Sequence, residues 1–216
     1  QRQMCIRDRV VAIDGPAGAG KSTVAKRIAR TLGLLYLDTG AMYRAFTLHV
    51  LKKNIPLEDL RGIERALDTF DLDVSERGVF VGAQDVTRDI RSRRVDETVS
   101  YISSLAFVRK KMVELQRRIG ENKDIVVEGR DIGTAVFPDA EYKFYLDATV
   151  EERAKRRIND EKNEERNLSF DEVVESIKKR DAYDSTREIS PLALAEDAHF
   201  IDSTGMTIDE VCDYII

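Results

Sequence analysis

Five short apolar runs recur along the chain: VVAID at 10–14, LLYLD at 34–38, IVVE at 125–128, KFYLD at 143–147 and HFID at 199–202. Each is apolar along most of its length, the pattern of a strand covered on both faces of a parallel sheet. Between them polar and apolar positions repeat at helical spacing. Val108, Met112, Leu115 and Ile119 form one such stripe, closed by Gly120, and it reads as ordinary core packing. Helix starts are legible as TVEE at Thr149, SFDE at Ser169 and TIDE at Thr207. In each, a hydroxyl and a glutamate can satisfy one another's free backbone N–H groups. Alternation of strand and helix predicts an α/β fold with a parallel sheet. Four runs end in Asp and the fifth in Glu. Ligands of open α/β sheets bind beyond the carboxyl ends of the strands, so these acids are expected to face a common cleft.

One region departs from the alternation. Leu72 and Val74, then Val79 and Val81, alternate around the turn SERG, which predicts a small antiparallel hairpin between the second and third core strands. The reading is a core of residues 10–56 and 96–216 with an inserted subdomain at 57–95. Residues 1–9, QRQMCIRDR, show neither strand alternation nor a helical face and are expected to be a non-native leader. The last helical pattern lacks a glycine cap, and a few native residues are expected beyond Ile216.

Composition narrows the class. A chain of 216 residues, 42% hydrophobic and 35% charged, suits one folded domain with a small insertion. A net charge of −5 argues against a general nucleic-acid binder and leaves room for a local basic cleft. No apolar run approaches the roughly 18 residues of a membrane helix. Cys5 and Cys212 lie near opposite ends without metal-ligand spacing, so no disulfide framework is expected and a reducing cytoplasm is. A monomer is expected as well.

The densest chemistry lies directly after the first run. Gly15, Pro16, Ala17, Gly18, Ala19, Gly20, Lys21, Ser22 and Thr23 match the phosphate-binding loop, following a strand and opening a helix. Glycines let backbone N–H groups face phosphate oxygens, and the helix start adds its positive end. Lys21 is placed to reach the outer phosphates and Ser22 to offer its hydroxyl to Mg²⁺. A glycine-rich turn that binds nothing is the competing reading, and the strand–loop–helix context counts against it. GTPases, ATP-driven motors, small-molecule kinases and regulatory modules share such a loop, so the acceptor must come from elsewhere.

Two stretches supply candidates. In DTGAMYR, at 38–44, Thr39 can cap the following helix and Arg44 lies one turn inside it. In EGRDIGTAVFPDA, at 128–140, Arg130 and Asp131 leave the third core strand where the cleft should be. A surface arginine and a solvated charge pair are the competing readings. With GPAGAGKST, FYLDAT, EERAKRR and KKRDAYDSTREISPL, these motifs resemble the bacterial-type cytidylate kinases, in order from residue 10 to the end.

The resemblance implies a P-loop kinase fold: a five-stranded parallel sheet flanked by helices, a small inserted antiparallel acceptor-binding subdomain, and a helical lid at about 149–168. It implies in-line transfer of the ATP γ-phosphoryl group to CMP or dCMP, with Mg²⁺. Carried over by motif, Ser100, Arg109 and Asp131 read the cytosine edge, with Ser103 and Ser104 as alternative serines. Thr39 joins the acceptor site, and Arg44, Arg130 and Arg187 hold the acceptor phosphate and the transferring group. Arg180 and Asp184 hold the ribose. Arg153, Arg156 and Arg157 belong to the lid, where a solvated basic helix face is the competing reading for each. Glu128 stands where many relatives carry Asp. A kinase for another nucleoside monophosphate or small metabolite is the nearest alternative, and a P-loop switch the more distant one. His49 and His199 are expected to have no catalytic role.

Overall fold

The computed structural model describes residues 9–75, 77–159 and 168–216. Residues 1–8 of the expected leader and 160–167 of the expected lid lie outside the described residues. Arg9, assigned to the leader, belongs to the fold. Its carbonyl accepts from Ile125 N at 2.8 Å, and its side chain pairs with Asp124 at 2.6 Å.

The five apolar runs form one parallel sheet. Its strands are β1 (Val10–Asp14), β2 (Leu35–Asp38), β6 (Ile125–Glu128), β7 (Tyr142–Asp147) and β8 (His199–Asp202), in the order β2-β6-β1-β7-β8. Side chains alternate across a strand, and β1 shows the consequence. Val11 and Ile13 pack with α1 (Lys21–Leu32) and α8 (Ile208–Ile215), whereas Ala12 packs on the opposite face with α2 (Thr39–Lys52) and α5 (Ala106–Gly120). Helices on both faces explain why β1 and β6 are apolar almost throughout. At the edge, β8 buries only Ile201, and Phe200 stays half exposed.

The hairpin is present and gains a short third strand: β3 (Leu72–Ser75), β4 (Gly78–Val81) and β5 (Gln84–Asp85), all antiparallel. It is preceded by α3 (Leu60–Asp68) and followed by a 3₁₀ turn (Asp89–Arg91) and α4 (Arg93–Ser104). α3 packs into the main core through Ile63, Ala66 and Leu67. The small sheet and the turn that follows it rest on α2, with Val79, Val86 and Ile90 against Ala41, Ala45 and Leu48. Being covered on both sides, α2 is buried nearly all round, as its weakly amphipathic sequence requires. His49 packs on Phe46 and Phe70, and His199 on Phe144.

After β7 come α6 (Val150–Asn159) and α7 (Phe170–Thr186), joined by a small apolar cluster around Ala154, Val173 and Ile177. The capping boxes at Ser169 and Thr207 form in full. At Thr149 only half forms: its hydroxyl accepts from Glu152 N at 3.3 Å, while the Glu152 carboxylate takes Arg156 Nε at 3.1 Å. Among the described residues, no helix is long and apolar enough to cross a membrane.

Candidate active site

A cleft of about 1360 Å³ opens at the carboxyl ends of the strands, lined on one side by residues 17–24. The loop between β1 and α1 turns where only glycine is comfortable. Gly15 has φ 144°, and a Cβ there would run into the Leu146 carbonyl of β7. Gly20, at φ 93°, is the N-cap of α1 and supplies no side-chain cap, so the positive end of α1 faces the cleft. Lys21 is 5% exposed and donates to Pro16 O at 2.6 Å. Burial, with Arg130 close by, depresses its pKa to about 7, because a desolvated ammonium next to another cation is costly.

The strand-end acids divide, which corrects the expectation of a common cleft. Asp38 and Glu128 line it. The other three bind free backbone N–H groups at turns. Asp14 accepts from Ile132 N and Gly133 N, both at 2.8 Å, Asp147 from Ala148 N at 2.7 Å and Asp202 from Thr204 N at 3.0 Å. Asp14 thereby ties the P-loop strand to the turn that carries Arg130 and Asp131, and burial raises its pKa to about 6. Glu128 is also raised, by burial and by Asp38, and accepts from the Tyr36 hydroxyl.

Thr39 is not the cap of α2. Asp38 is, accepting from Ala41 N at 2.8 Å, and Thr39 donates instead to Glu128 O at 2.7 Å. The shorter acid reaches the helix start from the strand end, and the threonine turns to the neighbouring strand. Arg44 is no surface residue: it is 8% exposed and donates to Ile90 O at 3.2 Å and to Asp96.

Five expected residues form one ion-pair network. Arg109, 2% exposed, pairs with Asp131, donates to Ser103 O at 3.2 Å and lies over the Tyr43 ring. Arg187 bridges Asp131 at 3.6 Å and Asp184 at 3.7 Å, and Arg130 Nε reaches Asp184 at 3.0 Å. Burial alone would raise the Asp184 carboxyl. Arg130, Arg180 and Arg187 outweigh that and hold it below the usual carboxylate range.

Arg44 and Arg180 belong to a second network, whose centre sequence reasoning missed. Asp96 pairs with Arg44, with Arg180 at 3.6 Å and with Arg157 at 3.7 Å. A signal existed: Asp96, Ser100 and Ser103 fall at i, i+4 and i+7 on one helix face. Ser100 itself lies outside the cleft lining, and its carbonyl accepts from Ser103 at 3.1 Å. Ser104 meets Tyr183 Oη at 3.2 Å.

The basic segment of α6 also divides. Arg153 is buried away from the cleft lining, binding Ala17 O at 3.0 Å and Asp181 at 2.5 Å. Arg156 donates to Ala19 O at 3.2 Å and Ser203 O at 2.7 Å. Both brace P-loop carbonyls, while Arg157 lines the cleft.

The cytidylate kinase family model matches residues 11–216. The chain belongs to the cytidylate kinase family. It is 47% identical to a cytidylate kinase of Fusobacterium nucleatum subsp. nucleatum, over 95% of this chain and 94% of that one. It is 49% identical to one from Caldanaerobacter subterraneus subsp. tengcongensis, over 95% and 92%. A shikimate kinase structure from Bacteroides thetaiotaomicron aligns with a TM-score of 0.51 over 95% of each chain at 10% identity, a likeness of fold alone. The family makes this chain a phosphotransferase acting on nucleotides, and its shared fold is that of P-loop kinases.

Proposed function

We propose that the protein transfers the γ-phosphoryl group of ATP to CMP or dCMP. The observation that carries this reading is the cleft itself. The phosphate-binding loop lines it together with Arg44, Arg130, Arg157 and Arg180, and Arg187 and Asp184 connect Arg130 to the buried Arg109–Asp131 pair. Guanidinium forks suit phosphate on the acceptor side. A carboxylate with an arginine complements cytosine, which offers an amino donor beside two acceptors. The full acceptor set proposed is Thr39, Arg44, Ser100, Arg109, Arg130, Asp131, Arg180, Asp184 and Arg187, with the ribose held by Arg180 and Asp184.

Transfer breaks the bond between Pγ and the β–γ bridging oxygen and forms one to an oxygen of the CMP phosphate, giving ADP and CDP. The attacking oxygen is already anionic, so no enzyme nucleophile or strong base is needed. Lys21, Arg130, Arg157 and Arg187 offset charge on the equatorial oxygens. Residues 15–23 cradle the ATP phosphates, and Arg153 acts through the P-loop that it braces. Ser22 lines the cleft and is within side-chain hydrogen-bond reach of Glu128. Among the described residues, no group of three or more His, Cys, Asp or Glu side chains would hold a cation unaided, which fits Mg²⁺ carried in on ATP. Mg²⁺ would lie at Ser22 and neutralise phosphate charge. The acidic net charge supports a free nucleotide over a nucleic acid as acceptor, the sparse cysteines support the cytoplasm, and nothing in this chemistry calls for a second copy of the chain.

ADP release, measured with ATP and a panel of nucleoside monophosphates, tests the reading. CMP and dCMP should exceed UMP by at least about tenfold in kcat/KM. Equal rates for UMP or AMP would overturn the acceptor assignment, and slow hydrolysis unaffected by any acceptor would favour the switch.

The depressed Lys21 pKa adds a pH signature. Lysine at about 7 is largely neutral at pH 8 and largely charged at pH 6. Phosphate oxygens favour the charged form, so ATP binding should take up close to one proton at pH 8 and much less at pH 6. Calorimetry in buffers of different ionisation enthalpy reads this directly, and absence of uptake at pH 8 would refute it.

A further inference from the structure

Arginines from three helices meet one carboxylate. Asp96 on α4 binds Arg44 of α2 and lies 3.6 Å from Arg180 of α7 and 3.7 Å from Arg157 of α6. All four side chains line the cleft, and all are largely buried. Asp96 sets one negative charge against these three guanidinium groups, with Asp184 as a second anion acting on Arg180. Among the described residues the buried Nε of Arg180 has no hydrogen-bond partner. Burial, with Arg44 and Arg130 adding to it, lowers the Arg180 pKa to about 9. The Arg180 and Arg157 separations exceed hydrogen-bond length, so Asp96 meets these two groups through charge. A carboxylate offers two oxygens and one charge, whereas a phosphate monoester offers three oxygens and up to two charges and is the stronger partner for converging guanidinium groups.

We propose that Asp96 is an internal counter-anion of the acceptor pocket, a positioning residue that gathers Arg44, Arg157 and Arg180 and gives them up to the bound nucleotides, Arg44 to the acceptor phosphate, Arg180 to the ribose beside it and Arg157 to the transferring group. Acceptor binding is then an exchange of anions. Asp96 remains beside the arginines after the exchange and repels the bound phosphate, which weakens ground-state binding and speeds release of the diphosphate product. Affinity is traded for turnover, since uniformly tight binding lowers KM without raising kcat. The naming of CMP as acceptor rests on the reading above. The charge role does not.

Asp96→Asn removes the charge and keeps an oxygen for Arg44. Two ligands are titrated calorimetrically at fixed ionic strength: CMP, and inorganic phosphate added to protein saturated with ADP. The expected result is that both Kd values fall by about tenfold or more, that KM for CMP falls, and that kcat falls with it as product leaves more slowly. Asp96→Glu, which retains the charge, should move both constants back toward wild type. Asp96→Ser, also neutral, reads the same quantity if the asparagine variant does not fold. Weaker or unchanged binding of both ligands in a neutral variant with wild-type melting behaviour would overturn the proposal and leave Asp96 as a brace between α4 and α2. Inorganic phosphate carries no base. A wild-type protein inactive on CMP would therefore refute the acceptor reading while the phosphate titration still decides the role of Asp96.

Discussion

Lys21→Ala is expected to lower kcat at least about a hundredfold, a loss of roughly 3 kcal/mol of transition-state stabilisation. The structure sharpens the reason. Lys21 is held by Pro16 O at 2.6 Å in a nearly dry site, where a charge acts with little screening. Holding that ammonium out of water disfavours its charged form, as the depressed pKa shows. Stability is therefore not expected to depend on it. The variant should melt at or slightly above the wild-type temperature while losing turnover. Near-normal turnover would refute the P-loop assignment. Lost activity with a collapsed melting transition would instead assign Lys21 to the fold.

Asp131→Asn is expected to act on stability and on base selectivity together. The carboxylate is 4% exposed and pairs with Arg109, itself 2% exposed, with Arg187 at 3.6 Å. Removing one member of a buried pair strands the other, at a cost of about 3–5 kcal/mol, and denaturant unfolding reads that loss. The selectivity effect is separate. A carboxylate suits the cytosine amino group, whereas UMP presents an oxygen there and leaves the carboxylate facing another acceptor. Each unpaired buried group costs roughly 1–3 kcal/mol. The asparagine amide can donate to that oxygen, so the CMP/UMP ratio in kcat/KM should narrow by about tenfold or more. If stability falls and the ratio stays put, Asp131 serves Arg109 alone and the base is read elsewhere.

Local rules were sufficient wherever one short segment decided the outcome. The P-loop is legible because its glycines answer backbone geometry at fixed offsets: Gly15 and Gly20 turn where L side chains rarely go. The strands were legible because β1 and β6 are buried on both faces and apolar up to their terminal acids. The hairpin was legible through alternation at Leu72, Val74, Val79 and Val81, which pair across the ladder as Leu72 with Val81 and Val74 with Val79. At Thr39 and Thr149 the same rules fell short. Asp38, one residue before the first of α2, already held the cap position, and Glu152 had a stronger partner in Arg156 than in its own helix end.

Charged side chains mark the limit. By itself the sequence determined the α/β alternation, the phosphate loop and which arginines and aspartates are worth naming, because those depend on spacing within a segment. Only the tertiary structure decided who pairs with whom. It set Asp96 of α4 against arginines of α2, α6 and α7, turned Arg153 under the P-loop, and left only Asp38 and Glu128 of the five strand-end acids on the cleft. An ion pair is made between groups far apart in the chain. Its partner is chosen by which guanidinium the packing brings within a few ångströms and out of water, and no local pattern encodes that choice.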